Sequence, residues 1–281
     1  MTEKPTTASE YTPDMVELAR STVLYVCTKL GDYIDEFVVV GGLVPALIIE
    51  QDPPPEGAEK HVGTRDLDIG FSLAILDDKK YQEISARLRR AGFEPDTNEE
   101  GNPTFQRWRS TDGLGVTIDF LIPQIEPEDR GGSIKNLEKD FGALITPGLE
   151  LAFDDRIRVP LSGETILGEE ARRDVWVCGP GAYVVLKALA FKLRGENKDA
   201  YDLFYVVRNF AGGPRDVARH LTPLLESDAG AQTLEILATD FARPNSLGPV
   251  RVALFIFGEQ ELELQGEATS FIGELIRLCR Q

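Results

Sequence analysis

Cysteine is scarce in this sequence, and long apolar runs are absent from it. The three cysteines, Cys27, Cys178 and Cys279, are odd in number and far apart, so they predict neither a disulfide framework nor a metal site. No stretch approaches the roughly 20 apolar residues that span a membrane. Residues 1–12 are polar and lack the apolar core of a signal peptide. We therefore expect a soluble, cytoplasmic protein in a reducing compartment, without a membrane partner.

Basic residues are also fewer than acidic ones. Lysine and arginine number 30 against 47 aspartates and glutamates, which gives a net charge of -17. A field of that sign repels a phosphate backbone, so the composition argues against a general DNA-binding protein. Local basic residues remain, and most of them are expected to be solvated surface charges: Arg87, Arg89, Arg90, Arg107, Arg109, Lys187, Lys192, Arg194 and Lys198.

Helical and strand patterns alternate in the first half of the chain. The spacing of apolar residues predicts helices over 13–31, 43–50 and 77–92. Apolar runs and alternation predict strands over 37–42, 66–75, 104–110 and 114–123. The last two strands are joined by an Asp-Gly turn, so a hairpin is expected there.

The second half of the chain ends in helices. Residues 124–146 are rich in charge and glycine and are predicted to be irregular, with solvated acidic residues also expected over 94–100. Strands are predicted over 149–161 and 174–179, and helical patterns run from residue 180 onward. We expect an α+β fold, in which a mixed β-sheet flanked by helices precedes a C-terminal helical domain. The predicted bounds are 1–12 for a disordered N-terminus, 13–179 for the α/β domain and 180–281 for the helical domain.

Two aspartates interrupt a strand that otherwise reads as buried. In "GTRDLDI", Asp66 and Asp68 point to one face of the strand, and Leu67 and Ile69 point to the other. The two carboxylates lie about 7 Å apart, twice the rise per residue. A buried carboxylate without a partner is costly, so this pair calls for a chemical reason.

A third carboxylate, Asp119, has a similar setting between Ile118 and Phe120 in a later apolar strand. If the two strands are neighbours, the three acids meet on one patch, where mutual repulsion raises their pKa values. Divalent cations relieve that repulsion. Mg²⁺ takes carboxylate and phosphate oxygens, and two such ions serve phosphoryl chemistry.

A glycine pair, Gly41 and Gly42, lies between the first strand and the next helix. Glycine lets a phosphate approach the backbone closely, and the start of a helix presents free N–H groups to it. A glycine turn for a triphosphate beside a carboxylate patch for its metal ions is typical of nucleotidyl transfer.

These motifs resemble the nucleotidyltransferase superfamily of the DNA polymerase β type. "VGGLVPALI" followed by "GTRDLDI" and then "LKALAFKLRGENKDAYDLFYVV" is most similar to the AbiEii-type branch, whose members include toxins of toxin–antitoxin and phage-defence systems. The resemblance covers about residues 37–210 and implies a nucleotidyltransferase-like sheet. One departure concerns phosphate contacts: many relatives carry an arginine just before the Thr-x-Asp-x-Asp run, where this chain has His61 and Val62.

The resemblance also assigns roles to residues. It implies that Asp66, Asp68 and Asp119 hold metal, with Asp119 as the third ligand or as the base that deprotonates the acceptor. It implies that Gly41, Gly42, Thr64 and Arg65 bind the nucleotide, that Lys187 pairs with phosphate, and that Arg194, Asp199 and Asp202 complete the nucleotide set. Local alternatives stay open: Lys187 could extend from a buried stripe, Asp199 could serve the first turn of its helix, and His61 could be a loop residue.

The resemblance implies an enzyme that moves a nucleotide from an NTP to an acceptor hydroxyl with two Mg²⁺ ions. The acceptor could be the 3′ end of a tRNA, or a small molecule such as an aminoglycoside. The alternative from another class is a catalytically silent module that binds a partner, for instance a cognate antitoxin protein. The catalytic hypothesis requires that the three acids face one another and are not neutralised by arginine or lysine.

Overall fold

The computed structural model describes residues 5–57, 59–64, 66–72, 78–113, 115–124, 126 and 128–281. Their contacts divide the chain into two compact units. The first unit comprises Pro13–Val44 and Gly63–Cys178, and the second comprises Pro45–Val62, Gly179–Gln281 and the described residues before Pro13. No helix in these ranges combines the length and the apolar character needed to cross a membrane.

The first unit combines helices with a mixed sheet, so the expected α+β class is confirmed. In chain order the helices of this half of the chain are α1 (Pro13–Leu30), α2 (Val44–Ile48), α3 (Asp78–Arg90) and α4 (Leu151–Asp154). All but the first residue of α2 belong to the second unit. The strands of the first unit are β1 (Phe37–Val40), β2 (Asp66–Phe71), β3 (Phe93–Thr97), β4 (Pro103–Ser110), β5 (Thr117–Ile122), β6 (Ile134–Glu138), β7 (Phe141–Ile145), β8 (Arg156–Glu164) and β9 (Glu170–Cys178).

The strand order is β3-β4-β5-β2-β1-β9-β8, with β7 also paired to β5 and β6 paired to β7. β2 is antiparallel to β1 on one side and parallel to β5 on the other. β1 with β9 and β5 with β7 are also parallel, and β4 with β5 forms the expected antiparallel pair. The two strands that carry the aspartates, β2 and β5, are therefore neighbours.

An aromatic cluster fills one side of the sheet. Phe71 and Phe120 stack at 5.3 Å between ring centroids, and Phe141 lies 4.9 Å from Phe120. Trp108 is fully buried, and its ring centroid lies 5.6 Å from that of Phe141. Because side chains alternate along a strand, this cluster occupies the face of β2 and β5 opposite to the aspartates.

Three stretches differ from the sequence-based expectation. Residues 124–146, predicted to be irregular, contain β6 and β7, and the acidic stretch 94–100 begins inside β3. The predicted strand over 149–161 is divided between the short helix α4 and β8. β6 and β3 lack the local apolar pattern on which the predictions rest, whereas β7 is a short apolar run, FGALI, within a stretch rich in charge and glycine. β7 pairs with β5, a strand distant in sequence.

The second unit is helical, as expected for the C-terminal part of the chain. Its helices are α5 (Pro180–Arg194), α6 (Asn197–Asn209), α7 (Pro214–Leu221), α8 (Asp228–Asp240), α9 (Leu247–Phe257) and α10 (Leu262–Cys279). Residues of the predicted α/β domain join it: the carbonyls of Gly57 and Glu59 accept hydrogen bonds from Arg208 and Tyr205 of α6.

The N-terminal segment also belongs to this helical unit. Residues 1–12 were expected to be disordered, but Ala8–Glu10 form a 3-10 turn and the ring of Tyr11 lies 6.0 Å from that of Phe255 in α9. An aromatic contact with a helix supplies burial that the polar composition of the segment does not indicate.

Gly181 permits close packing of α5 against α7, and we expect its replacement to be costly. A Cβ at this position would lie 2.5 Å from the carbonyl carbon and 2.6 Å from the oxygen of His220, which are backbone atoms that cannot rotate away. Gly181→Ala should lower the free energy of unfolding by about 1–3 kcal/mol, because the two helices must separate. Gly273→Ala is the matched control.

At Gly273, in α10, an added Cβ meets no atom within 4 Å. Gly273→Ala should therefore stabilise the chain by about 0.5–1 kcal/mol through helix propensity alone. Chemical denaturation measures both variants. Equal stability of G181A and the unmodified chain would show that the α5–α7 contact is looser than described.

Candidate active site

Three aspartates share one face of the sheet in the first unit. In the parallel register of β2 and β5, Asp66 lies beside Thr117 and Asp68 lies beside Asp119. Leu67 and Ile69 of β2 are buried on the opposite face. The expected convergence of Asp66, Asp68 and Asp119 is therefore present, and we call these three side chains the acidic face.

Neutral and cationic donors partly satisfy the acidic face. The Thr117 hydroxyl donates to Oδ1 of Asp66 at 2.6 Å. Arg107 of β4 lies opposite Asp119 in the antiparallel register and donates from Nε and Nη2 to the two carboxylate oxygens, at 2.7 and 2.6 Å. The Nη2 atom of Arg107 is also 4.0 Å from Oδ2 of Asp66. Arg107, expected to be a solvated surface charge, is therefore part of the site.

The pKa values follow from these contacts. Burial raises the pKa of the Asp119 carboxyl above its ordinary value, and the hydrogen bonds from Arg107 oppose that rise. Hydrogen bonding to Asp119, aided by the charges of Asp66 and Asp68, raises the pKa of Arg107. Arg107 is therefore a permanent cation at the acidic face.

Gly41 leaves room for one of the acids. It follows β1 with a positive φ of 72°, and Gly41–Leu43 form a 3-10 turn before α2. A Cβ at Gly41 would overlap the Asp68 carboxylate, so only glycine lets the backbone pass this close to the acid. Gly42 is buried in the same turn. The following helix has only five residues, so the predicted contribution of a helix start to phosphate binding has little structural basis.

Thr64 and Arg65 precede β2. The Thr64 side chain is buried, and its hydroxyl accepts a hydrogen bond from the backbone N–H of Asp66 at 3.3 Å. This contact fixes the start of the strand that carries the acids. Arg65, the other predicted nucleotide contact in this segment, lies outside the described residues.

Metal binding is compatible with the donors at the acidic face. Within the described ranges, no three histidine, cysteine, aspartate or glutamate side chains are arranged to hold a metal ion as they stand. The donors are nevertheless carboxylate oxygens on adjacent strands, and the Gly41 backbone forms a cradle at Asp68 that a Cβ would fill. Carboxylates are the ligands that Mg²⁺ prefers, so this set fits a hard divalent cation.

The other predicted site residues lie in the second unit, where they form a buried ion network. The network comprises His61, Lys187, Arg194, Lys198, Asp199 and Asp202. Lys187 Nζ of α5 contacts Asp199 at 3.1 Å and Asp202 at 2.6 Å, both in α6. Arg194 donates to both oxygens of Asp199, at 2.6 and 2.8 Å. Lys187 thus joins α5 to α6 through two carboxylates.

Asp202 is the centre of this network. Its side chain is fully buried and accepts from Lys198 Nζ at 2.8 and 2.9 Å and from His61 Nε2 at 3.0 Å. Since a carboxylate oxygen only accepts, Nε2 is the protonated nitrogen of a neutral His61. The His61 ring stacks on Tyr201 at 5.2 Å. His61 is therefore a buried structural partner of Asp202, which the sequence does not indicate.

Burial and the neighbouring charged groups shift the pKa values of His61 and Asp202 in opposite directions. Burial lowers the pKa of His61 to about 4, although the bond to Asp202 acts to raise it. For Asp202, burial acts to raise the pKa, but Lys187 and Lys198 outweigh it and hold the pKa well below its ordinary value. Asp202 is therefore charged and His61 neutral at pH 7.

Arg107, Lys198 and His61 are residues whose contacts with these aspartates the sequence analysis did not predict. A signal existed for two of them. Arg107 alternates with Arg109 in a strand predicted to pair with that of Asp119, and Lys198 is one helical turn before Asp202. His61 has no local signal, because its partner lies 141 residues away.

The chain matches no protein-family model.

Loss of the central charge should destabilise the helical unit. Asp202→Asn leaves Lys187 and Lys198 buried with one carboxylate fewer, so the free energy of unfolding should fall by about 3–5 kcal/mol. The control is Glu274→Gln, which removes an exposed ion pair with Arg277 and should cost no more than about 0.5 kcal/mol. Denaturant titration at pH 7 measures both. Equal losses would show that the network adds little to stability.

The neutral state of His61 should make stability depend on pH. Between pH about 6.5 and 4 the unfolded chain binds a proton at this residue and the folded chain does not. The free energy of unfolding should therefore fall as pH decreases through this window, with a slope approaching about 1.4 kcal/mol per pH unit. His61→Gln should flatten the profile.

His220→Gln is the control for this measurement, since it removes the other histidine and keeps the partners of Asp202. The profiles are compared by denaturation at several pH values from 7 to 5. A slope in H61Q equal to that in H220Q would contradict the assignment of a neutral, buried His61.

Proposed function

We propose that this chain is a metal-dependent nucleotidyltransferase of the DNA polymerase β type, similar to the AbiEii branch. The observation that carries the proposal is the register of β2 with β5, which sets Asp68 beside Asp119 with Asp66 on the same face. The contact of the Asp68 carboxylate with the Gly41 backbone supports it, because it joins the glycine turn to the acids. A nucleotidyltransferase-like sheet is the finer fold that we propose on the same grounds.

In this proposal Asp66, Asp68 and Asp119 would hold two Mg²⁺ ions. Bound Mg²⁺ would supply charge neutralisation for the phosphate oxygens of an NTP and of the leaving pyrophosphate. The Asp119 carboxylate would accept the proton of the attacking hydroxyl or serve as the third metal ligand. The Gly41–Gly42 turn would leave space for the triphosphate beside the backbone.

The residues of the buried ion network have a different proposed role. Lys187 and Arg194 are bound to Asp199 and Asp202, so a direct phosphate contact would require them to exchange partners. We propose that Lys187 instead holds α5 and α6 together, which maintains the helical unit as a rigid body. Thr64 supports the start of β2 in the same indirect way.

The acceptor that we propose is the 3′ hydroxyl of a tRNA, which follows from the resemblance to toxins of the branch. A cationic small molecule such as an aminoglycoside is the other acceptor to be tested. The net charge of -17 favours a cation over an RNA in bulk electrostatic terms, so a tRNA would need a local basic surface. A cognate antitoxin is the proposed protein partner.

Nucleotide transfer is the direct test. The purified chain with Mg²⁺ should move label from an α-³²P-labelled NTP to tRNA, and Asp68→Asn should reduce the rate at least about 100-fold, because metal ligation is worth several kcal/mol. The control Asp140→Asn removes an exposed carboxylate that pairs with Arg89, and it should leave the rate unchanged. Label transferred to aminoglycosides instead would keep the reaction and change the acceptor.

A silent, partner-binding module is the second candidate, and one observation favours it. Arg107 binds both oxygens of Asp119, which neutralises one of the three acids. Calorimetry with MgATP and MgCTP discriminates the two candidates. Absence of binding by every NTP, together with absence of label on tRNA, aminoglycosides and the protein itself, would favour the silent module.

A further inference from the structure

One guanidinium lies beside two of the three carboxylates of the acidic face. Arg107 donates to both oxygens of Asp119, at 2.7 and 2.6 Å, and approaches Asp66 to 4.0 Å. Its single positive charge lies beside two of the three acids. The protein thus places its own cation where the proposed function requires divalent metal.

The backbone fixes Arg107 in this place. The register of β4 with β5 sets Arg107 opposite Asp119 and Trp108 opposite Ile118. Trp108 is fully buried, and its indole N–H donates to the carbonyl of Phe105 at 3.2 Å. A slip of one residue would expose Trp108 and bury Arg107, so the core side of β4 holds the arginine against the acid.

Arg109 provides an internal comparison. It lies two residues further along β4, on the same face as Arg107, and is opposite Thr117 in β5. Its guanidinium donates to Glu94 at 3.2 and 3.0 Å, and both of these side chains are nearly half exposed. Arg109 is therefore an arginine of the same strand and face whose ion pair lies outside the acidic face.

We propose that Arg107 is a resident cation that competes with divalent metal for Asp119, so that metal binding requires the Arg107–Asp119 pair to open. This inference rests on the proposed function. Each Asp119 oxygen keeps a further lone pair, but a divalent cation bound there would lie next to the guanidinium, and like charges at that separation repel. Free metal therefore binds more weakly than the three carboxylates alone would allow.

The same pair explains how metal and nucleotide would be coupled. Phosphate oxygens accept the two parallel N–H groups of an arginine as well as a carboxylate does. A triphosphate at the acidic face would thus offer Arg107 a new partner and release Asp119. Metal that arrives with a nucleotide would meet less opposition than free metal.

Mn²⁺ binding tests the competition without any measurement of activity. Bound metal is first removed with a chelator, and the protein is then titrated with Mn²⁺ while electron paramagnetic resonance measures the concentration of free Mn²⁺. The proteins compared are the unmodified chain, Arg107→Gln, Arg107→Lys and Arg109→Gln. R107Q should bind Mn²⁺ with a Kd about tenfold lower than that of the unmodified chain. R107K, which keeps the charge and loses the two-pronged contact, should lie between them, and R109Q should be unchanged.

The outcomes separate the inference from the proposed function. Equal or weaker Mn²⁺ binding by R107Q, when the unmodified chain binds, would overturn the competition and leave the proposed function standing. Binding by R107Q alone would support the competition. Absence of Mn²⁺ binding by both the unmodified chain and R107Q would overturn the competition and the proposed function. Tighter Mn²⁺ binding by R107Q, together with absence of nucleotide transfer by the unmodified chain, would overturn the proposed function only. Where R107Q fails to fold, R107K decides, since binding no tighter than that of the unmodified chain overturns the competition.

Discussion

The parallel register of β2 with β5 is the constraint on which the acidic face depends. It is set from the other side of the sheet, where Phe71 and Phe120 stack in the core. Burial of one such ring contributes about 1.5–3 kcal/mol, and a slip of one residue would turn a whole set of side chains to the wrong face. Hydrophobic burial on one face thus determines the positions of Asp68 and Asp119 on the other. The aspartates repel one another, so packing on the other face is what keeps them close together.

The chain contains two kinds of ion pair, and burial distinguishes them. The Lys187 and Asp202 side chains are 9% and 0% exposed, so the loss of one partner leaves a charge stranded away from water. The Arg107 and Asp119 side chains are 35% and 18% exposed, so water can compensate part of the loss when that pair opens. The first pair suits a permanent connection between helices. The second orders the acidic face, and its partial exposure is compatible with the proposed exchange of partners.

Much of the acidic face follows from local sequence, and most of its surroundings do not. Alternation in a strand is a local property, so the common face of Asp66 and Asp68 could be predicted, and the apolar flanks of Asp119 placed it in a strand. Arg107 was misjudged because the usual fate of an arginine is solvation, and only its pairing with Asp119 shows otherwise. The strands within 124–146 and the burial of His61 depend on partners distant in sequence, which periodicity does not report.

Charge alone limits what the acidic face can bind. Asp66, Asp68 and Asp119 lie on a chain whose total charge is -17, and Arg107 pairs with Asp119. A triphosphate is a polyanion, so it is repelled from this patch unless cations accompany it. Under the proposal, Arg107 would exchange Asp119 for a phosphate group, and divalent metal would supply the further positive charge. Under the proposal, nucleotide binding at this face would therefore favour metal binding, whereas a face that served only to bind a cationic partner would need no such coupling.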